Sequence, residues 1–327
     1  MADKKILHTY RYTGQPWKIL QSVVPQGFCV KTLEEPTREC LLREVEDADY
    51  LLVSGRLAID SEVLAAAPRL RMIQRTGVGT EMLDKPAIAA RDIPVYVNAG
   101  INARSVAEHT LTLMLCALKN IPHISNRVKQ GIWQKQTTGV QCHEIYGKTV
   151  GLVGLGAIGR RVAAYLRVMG AHVCYTDPFR ATADTERELG LTYLDSFDKL
   201  LPLCDILSFH CPLTPDNERM LNAAALAAMR AGAVVVNTAR GKLIDEDALY
   251  DALVDGRIRC AALDVHYEEP VPASDRLATL DNVIMTPHIG GLSFEAFHDM
   301  MAEAIQNIVD FDQGHFQKIS QKILKLS

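Results

Sequence analysis

The segment that most narrows what this chain can fold into is Thr149-Val150-Gly151-Leu152-Val153, which runs directly into Gly154-Leu155-Gly156-Ala157-Ile158-Gly159 and then into helical spacing over residues 160–169. A β-branched run, a glycine turn and a helix in that order make a βα unit with the helix N-terminus facing the turn. Gly154 permits the tight turn, Gly156 lets the backbone approach a pyrophosphate, and Gly159 lets helix and strand pack closely. Unpaired N–H groups and the positive end of the helix dipole favour an anion there. The next strand pattern ends at Asp177, 18 residues beyond Gly159, close to the roughly 20 at which an acid reaches the ribose hydroxyls. The segment therefore predicts a bound dinucleotide. A carboxylate at Asp177 repels a 2′-phosphate, so NAD is expected over NADP, and the nearby Arg180 is read as a solvated charge.

On either side of this unit, short apolar runs alternate with helical patterns. Residues 6–10, 28–33, 50–54, 70–75 and 94–98 read as strands; among the helices between them is one at residues 61–67, opened by Asp60 or Ser61 as a cap and closed by Pro68. Helical spacing over residues 103–120 predicts a connector between two halves, and residues 131–147 read as loop. Strand patterns resume at residues 149–153, 172–175, 206–210, 234–237, 259–265 and 283–286, six in all. Residues 294–311 return to helical spacing, in a place from which the chain can cross back onto its first half. Such alternation implies an α/β fold with parallel sheets covered by helices.

At 327 residues the chain has the length of about two domains. Its 35 Lys and Arg against 39 Asp and Glu leave a net charge of -4, so no large positive field exists to hold a polyanion and nucleic acid is not expected as a partner. No run of about 18 apolar residues and no signal-peptide pattern occurs; no membrane partner is expected, and a cytoplasmic protein is. Eight cysteines are scattered without a C-x-x-C pair, as reduced thiols are. Cys142-His143-Glu144 and Asp264-x-His266 contain metal-ligand residue types without a four-ligand spacing, and no metal site is expected.

Ligands of an open parallel sheet gather beyond the carboxyl ends of its strands. Three strand patterns are followed there by reactive groups: Arg240 in Thr238-Ala239-Arg240-Gly241, Glu269 in His266-Tyr267-Glu268-Glu269-Pro270, and His288 in Thr286-Pro287-His288-Ile289-Gly290-Gly291. All three lie on the edge that carries the glycine turn. An imidazole can give or take a proton near neutrality, a glutamate beside it favours its charged form, and a guanidinium pairs with a carboxylate. His109, inside the long helix, is read as a hydrogen-bonded structural histidine.

These motifs, in this order and together with Gly77-Val78-Gly79, Ser105-Val106-Ala107-Glu108-His109-Thr110 and His210-Cys211-Pro212-Leu213-Thr214, resemble the D-isomer-specific 2-hydroxyacid dehydrogenases, the family that includes phosphoglycerate dehydrogenases and glyoxylate/hydroxypyruvate reductases. The resemblance implies two doubly wound parallel-sheet domains. A Rossmann NAD-binding domain at residues 102–289 would be inserted in a flavodoxin-like substrate domain at residues 1–101 and 290–327, and the protein would be a homodimer. It implies NAD-dependent interconversion of a D-2-hydroxy acid and its 2-oxo acid, with His288 as acid/base, Glu269 as its partner and Arg240 on the substrate carboxylate and carbonyl. Gly77, Val78 and Gly79 would join Arg240 and His288 in holding the substrate. Gly154, Gly156, Ala157, Ile158, Gly159, Asp177, His210, Cys211, Pro212, Thr238, Ala239, Arg240, Asp264, His288 and Gly290 would line the cofactor, with Asp264 against the nicotinamide amide and Cys211 as packing rather than nucleophile.

Some positions depart from the family pattern or narrow it. Glu269 argues against the similar formate dehydrogenases, which have glutamine there. His266 stands where phenylalanine is common and Val78 where members vary, which leaves the substrate side chain open. At this length, the regulatory domain that many phosphoglycerate dehydrogenases append is not expected. The alternative within the same resemblance is an NAD(H)-responsive binding protein of the transcriptional corepressor type.

Overall fold

Two separate sheets organise the chain, and the computed structural model describes residues 3–319 and 323 of it. One unit comprises Met1–Asn102 with Phe294–Ser327, the other Ala103–Ser293.

In the first unit, β1 (Lys4–His8), β2 (Phe28–Thr32), β3 (Tyr50–Val53), β4 (Met72–Arg75) and β5 (Val95–Val97) pair in parallel in the order β2-β1-β3-β4-β5. That is the flavodoxin-like doubly wound order. Its central strand β3, Tyr-Leu-Leu-Val, is apolar and buried on both faces because both are covered by helices. Leu7, Leu51 and Ile73 meet Leu41, Val63, Leu64 and Ile88 on one face. On the other, Ile6, Tyr50, Leu52 and Met72 meet Leu20 and, from the Phe294–Asp312 helix, Met300, Met301, Ile305 and Ile308. The C-terminal helix therefore does cross back onto the first half's sheet. Asp312 fixes its end by accepting from Tyr50 Oη at 2.7 Å and Arg71 Nη1 at 2.8 Å and by pairing with Lys4. The Ser61–Ala65 helix starts where Asp60 accepts from the N–H groups of Glu62 and Val63.

In the second unit, β6 (Thr149–Val153), β7 (His172–Thr176), β8 (Leu191–Tyr193), β9 (Ile206–Phe209), β10 (Ala233–Asn237), β11 (Ile258–Leu263) and β12 (Val283–Met285) pair in parallel in the order β12-β11-β10-β9-β6-β7-β8. The winding reverses between β6 and β9, so the crevice beyond their carboxyl ends is a topological switch point. Six strands were expected and seven form. The extra one, β8, has only three residues, Leu-Thr-Tyr, too few to show a period. It forms because Gly190, at φ +66°, ends the Ala183–Leu189 helix and turns the chain onto β7. Residues 131–147, expected as loop, contain the Lys135–Gly139 helix, whose sequence Lys-Gln-Thr-Thr-Gly has no apolar stripe to reveal it. Among the described residues, no helix is long and apolar enough to cross a membrane.

Candidate active site

The three glycines of the turn are required for different reasons. A Cβ on Gly154, whose φ is +101°, would lie 2.9 Å from the backbone of His210 and Cys211, and one on Gly159 would lie 2.4 Å from Gly154 O. Neither contact has a flexible side chain that can yield, so the turn itself and the crossing of helix and strand exclude a side chain. A Cβ on Gly156 meets nothing within 4 Å. Nothing in the chain needs Gly156 bare, and it stands at the N-terminus of the Ala157–Val168 helix, where the unpaired N–H groups favour an anion.

Asp177 follows β7, and its Oδ2 accepts from Leu155 N at 2.7 Å while Oδ1 accepts from Phe179 N at 2.8 Å. The carboxylate is thus held at the mouth of the glycine turn. Arg180 is not simply a solvated charge. It makes a two-pronged pair with Glu186, both contacts at 2.9 Å, and stacks over the Tyr193 ring. This pairing, with a further bond from Tyr175, holds the Glu186 carboxyl well below its ordinary range.

Across the switch point His210 is partly buried, with Nε2 at 2.9 Å from Ser208 Oγ; desolvation pulls its pKa down to about 4 and keeps the ring neutral. Burial pushes the Cys211 thiol up to about 11, so it packs as a thiol and is no nucleophile at neutral pH. Pro212 O accepts from Asn217 Nδ2 at 2.8 Å, which closes the turn beyond them.

The turn after β10 is braced from within. Asn237, fully buried at the strand end, accepts from Ala239 N at 3.0 Å and donates from Nδ2 to Arg240 O at 2.9 Å. Thr238 Oγ1 and Thr110 Oγ1 are 2.9 Å apart, which ties the turn to the Ala103–Lys119 helix. Arg240 donates from Nη1 to Ala239 O at 2.7 Å. A Cβ on Gly241 would lie 2.0 Å from His266 C and O, so the Arg240 turn lies directly on the backbone of the turn that carries Glu269.

Glu269 and His288 are in contact: His288 Nδ1 is 2.8 Å from Glu269 Oε2. Burial pushes the Glu269 carboxyl upward, but the hydrogen bond and charge of His288 outweigh it and leave the group below its ordinary value. The anionic oxygen accepts, so Nδ1 carries the hydrogen and Nε2 is the ring nitrogen not engaged by Glu269. Glu269 Oε1 accepts from His266 N at 3.1 Å. His288 has φ +56°, a left-handed backbone uncommon outside glycine.

That backbone is held by Asp264, whose carboxylate accepts from Thr286 Oγ1 at 2.5 Å, Ile289 N at 3.0 Å and Gly290 N at 2.8 Å. His109 adds Nε2 at 3.3 Å from the same carboxylate and 3.1 Å from Thr286 Oγ1, the structural hydrogen bonding read from its place in the helix. Burial raises the Asp264 pKa, yet these donors together take it below its ordinary value. Gly290 O accepts from Ser105 Oγ at 2.7 Å.

In the first unit, Gly77, Val78 and Gly79 follow β4. Arg75 holds their loop by donating from Nε to Gly79 O at 2.7 Å and from Nη1 to Val53 O at 3.1 Å, and Val78 is 58% exposed.

Sequence reasoning passed over Asn237, Gly241 and Thr286 as supports of the site. Asn237 alone carries a readable signal, as a polar residue closing a Val-Val-Val strand.

Residues 111–290 match the model of the D-isomer specific 2-hydroxyacid dehydrogenase NAD-binding domain. D-3-phosphoglycerate dehydrogenase of Mycobacterium leprae is 42% identical over 267 residues, covering 82% of this chain and 50% of that protein. The chain spans about half the length of several phosphoglycerate dehydrogenases that it matches. Glyoxylate reductase of Korarchaeum cryptofilum is 33% identical over 89% of this chain and 88% of its own length. The crystal structure of D-lactate dehydrogenase from Aquifex aeolicus, complexed with NAD and lactic acid, superposes with a TM-score of 0.85 at 28% identity over 98% of this chain and 99% of that one. A family model that spans more than half of the residues, and a relative matched along most of both chains, establish that this chain belongs to the D-isomer specific 2-hydroxyacid dehydrogenase family.

Proposed function

We propose that the protein interconverts a D-2-hydroxy acid and its 2-oxo acid with NAD as cofactor. The observation that carries this reading is the 2.8 Å contact between Glu269 and His288 on the sheet edge that also bears the glycine turn. Gly154 to Gly159 and the helix N-terminus would hold the pyrophosphate, and Asp177 the adenosine ribose. His210, Cys211, Pro212, Thr238 and Ala239 would line the remaining cofactor surface. NADH, when bound, supplies the hydride that reduces C2 of the 2-oxo acid.

In reduction, charged His288 gives the proton on Nε2 to the oxygen on C2, and in oxidation the neutral ring takes the hydroxyl proton there. Glu269, ionised because its pKa lies below the ordinary value, stabilises the charged ring and fixes its orientation. Arg240 pairs with the substrate carboxylate and stabilises charge developing on the carbonyl oxygen. In the first unit, the N–H groups of Gly77, Val78 and Gly79 are proposed as donors to a carboxylate, as the family resemblance implies. We read Asp264 as the anchor of the loop from Thr286 to Gly290 rather than as an amide ligand, since its side chain is 2% exposed and already has four donors.

The test is oxidation of NADH and NADPH with glyoxylate, hydroxypyruvate, phosphohydroxypyruvate, pyruvate and branched 2-oxo acids. Rapid turnover of one acid with NADH supports the reading and identifies the side chain. Tight NADH binding without turnover of any acid would sink it and favour the corepressor-type alternative. Asp177→Ala removes the carboxylate opposed to a 2′-phosphate and should lower the NADH to NADPH ratio of kcat/KM by about tenfold or more. An unchanged ratio would show that Asp177 does not select the cofactor.

The protein is further read as a homodimer, as its family resemblance implies. Trp133, 77% exposed, lines with Ile124, Val128 and Ile132 a cavity of about 240 Å³ on the second unit, an apolar surface suited to burial against another copy. Sedimentation equilibrium should give twice the 36.1 kDa chain mass; a single-chain mass would overturn this.

A further inference from the structure

His266 is a buried titratable group that the proposed chemistry does not use. Its ring is only 6% exposed, with Nε2 at 3.0 Å from Thr286 O. A carbonyl oxygen only accepts, so Nε2 carries the hydrogen and the neutral ring has its lone pair on Nδ1. Nδ1 is buried with no hydrogen-bond partner. A second proton there would place an N–H against nothing that accepts it, at the cost of an unsatisfied buried donor. The charged groups facing the ring are Glu269 on its own turn and Glu246 at the start of the Glu246–Val254 helix, whose Oε1 accepts from Tyr267 N at 2.9 Å.

The bond partners of His266 lie on both sides of the Glu269–His288 contact. Its backbone N–H goes to Glu269 Oε1 at 3.1 Å, on the turn after β11. Its ring goes to Thr286 O, on the turn after β12, and the same oxygen accepts from His288 N at 3.0 Å. One side chain thus connects the turn carrying the acid to the backbone atom that fixes the left-handed His288.

We propose that His266 is a positioning residue, a neutral clip that holds the Glu269 and His288 turns in register and so sets the hydrogen bond between them. This rests on reading Glu269 and His288 as the acid/base pair. A phenylalanine would fill the same space with a ring that has no N–H to give, so the clip belongs to chains with histidine at this position. Arg240 shares the arrangement through Gly241, which lies on the His266 backbone.

The test compares His266→Phe with His266→Gln, whose side-chain amide can put an N–H near the position of Nε2. In His266→Phe, kcat should fall about tenfold with KM for NADH unchanged. The pH limb reporting His288 should move to lower pH, because a less well-placed Glu269 stabilises the charged ring less. His266→Gln should restore most of both. Histidine NMR of the ligand-free protein supplies a readout independent of turnover. His266 should show the Nε2–H tautomer, and the His288 titration midpoint should fall in His266→Phe and recover in His266→Gln. A His266 ring in the Nδ1–H tautomer, or a His288 midpoint and kcat unmoved in His266→Phe, would overturn the proposal. His288→Ala separates the two readings: full activity there defeats the acid/base assignment, while the tautomer of His266 still reports on the clip.

Discussion

His288→Ala should lower kcat for 2-oxo acid reduction by about 10²–10⁴-fold, the usual worth of a positioned proton donor, while NADH affinity measured by fluorescence stays near that of the parent. The side chain is 48% exposed, so its removal leaves no core cavity and the fold should survive. The pH dependence follows from the direction of proton movement. Reduction needs the charged ring, so its rate falls as pH rises through the His288 pKa, and oxidation shows the opposite limb. Glu269 is held below the ordinary carboxylate value, so it remains ionised across this range and adds no limb of its own near neutrality. Parent-like kcat in His288→Ala, or the same pH profile in the two directions, would remove His288 from the mechanism.

Gly241→Ala is expected to be nearly as damaging although the residue has no side chain to contribute. Its Cβ would lie 2.0 Å from His266 C and O and 2.5 Å from Tyr267 N, all backbone atoms. The turns after β10 and β11 would have to separate, taking Arg240 away from Glu269 and His288. Displacements of about 1 Å at a reacting site cost on the order of 100-fold in rate, and overpacking of this kind costs about 1–3 kcal/mol in stability. The prediction is a fall of that size in kcat/KM for the 2-oxo acid, a lower denaturation midpoint, and a smaller effect on NADH binding at the distant glycine turn. If Gly241→Ala matched the parent in both rate and stability, the close approach of the two turns would be of no consequence to the site.

Much of the site could be read from residue order because its parts are local. Gly154, Gly156 and Gly159 fall within six residues of one strand end, and Asp177 directly follows the next strand. Arg240, Glu269 and His288 each follow an apolar run, and parallel strands deliver such residues to one edge whatever the details of packing. What escaped was either too short or too distant in sequence. β8 is three residues long and exists through pairing with β7. Thr286 binds Asp264 22 residues away, and His266 reaches Thr286 over 20, so nothing near Thr286 in the sequence marks its importance. Arg180 looked like a free surface charge because its salt bridge requires the turn that places Glu186 six residues on.

The sequence by itself determined the α/β alternation, the dinucleotide turn and the identity of the three reactive side chains. Those properties arise from periodicity and from glycines, which act over a few residues. Only the tertiary structure decided that Nδ1 of His288 is the ring atom held by Glu269, that no contact within the chain requires Gly156 to be bare while Gly154 and Gly159 have such contacts, and that His266 joins two turns. The reason is that these depend on hydrogen bonds and close contacts between residues far apart in the chain, such as Gly154 and His210, which come within reach only when neighbouring parallel strands settle into register.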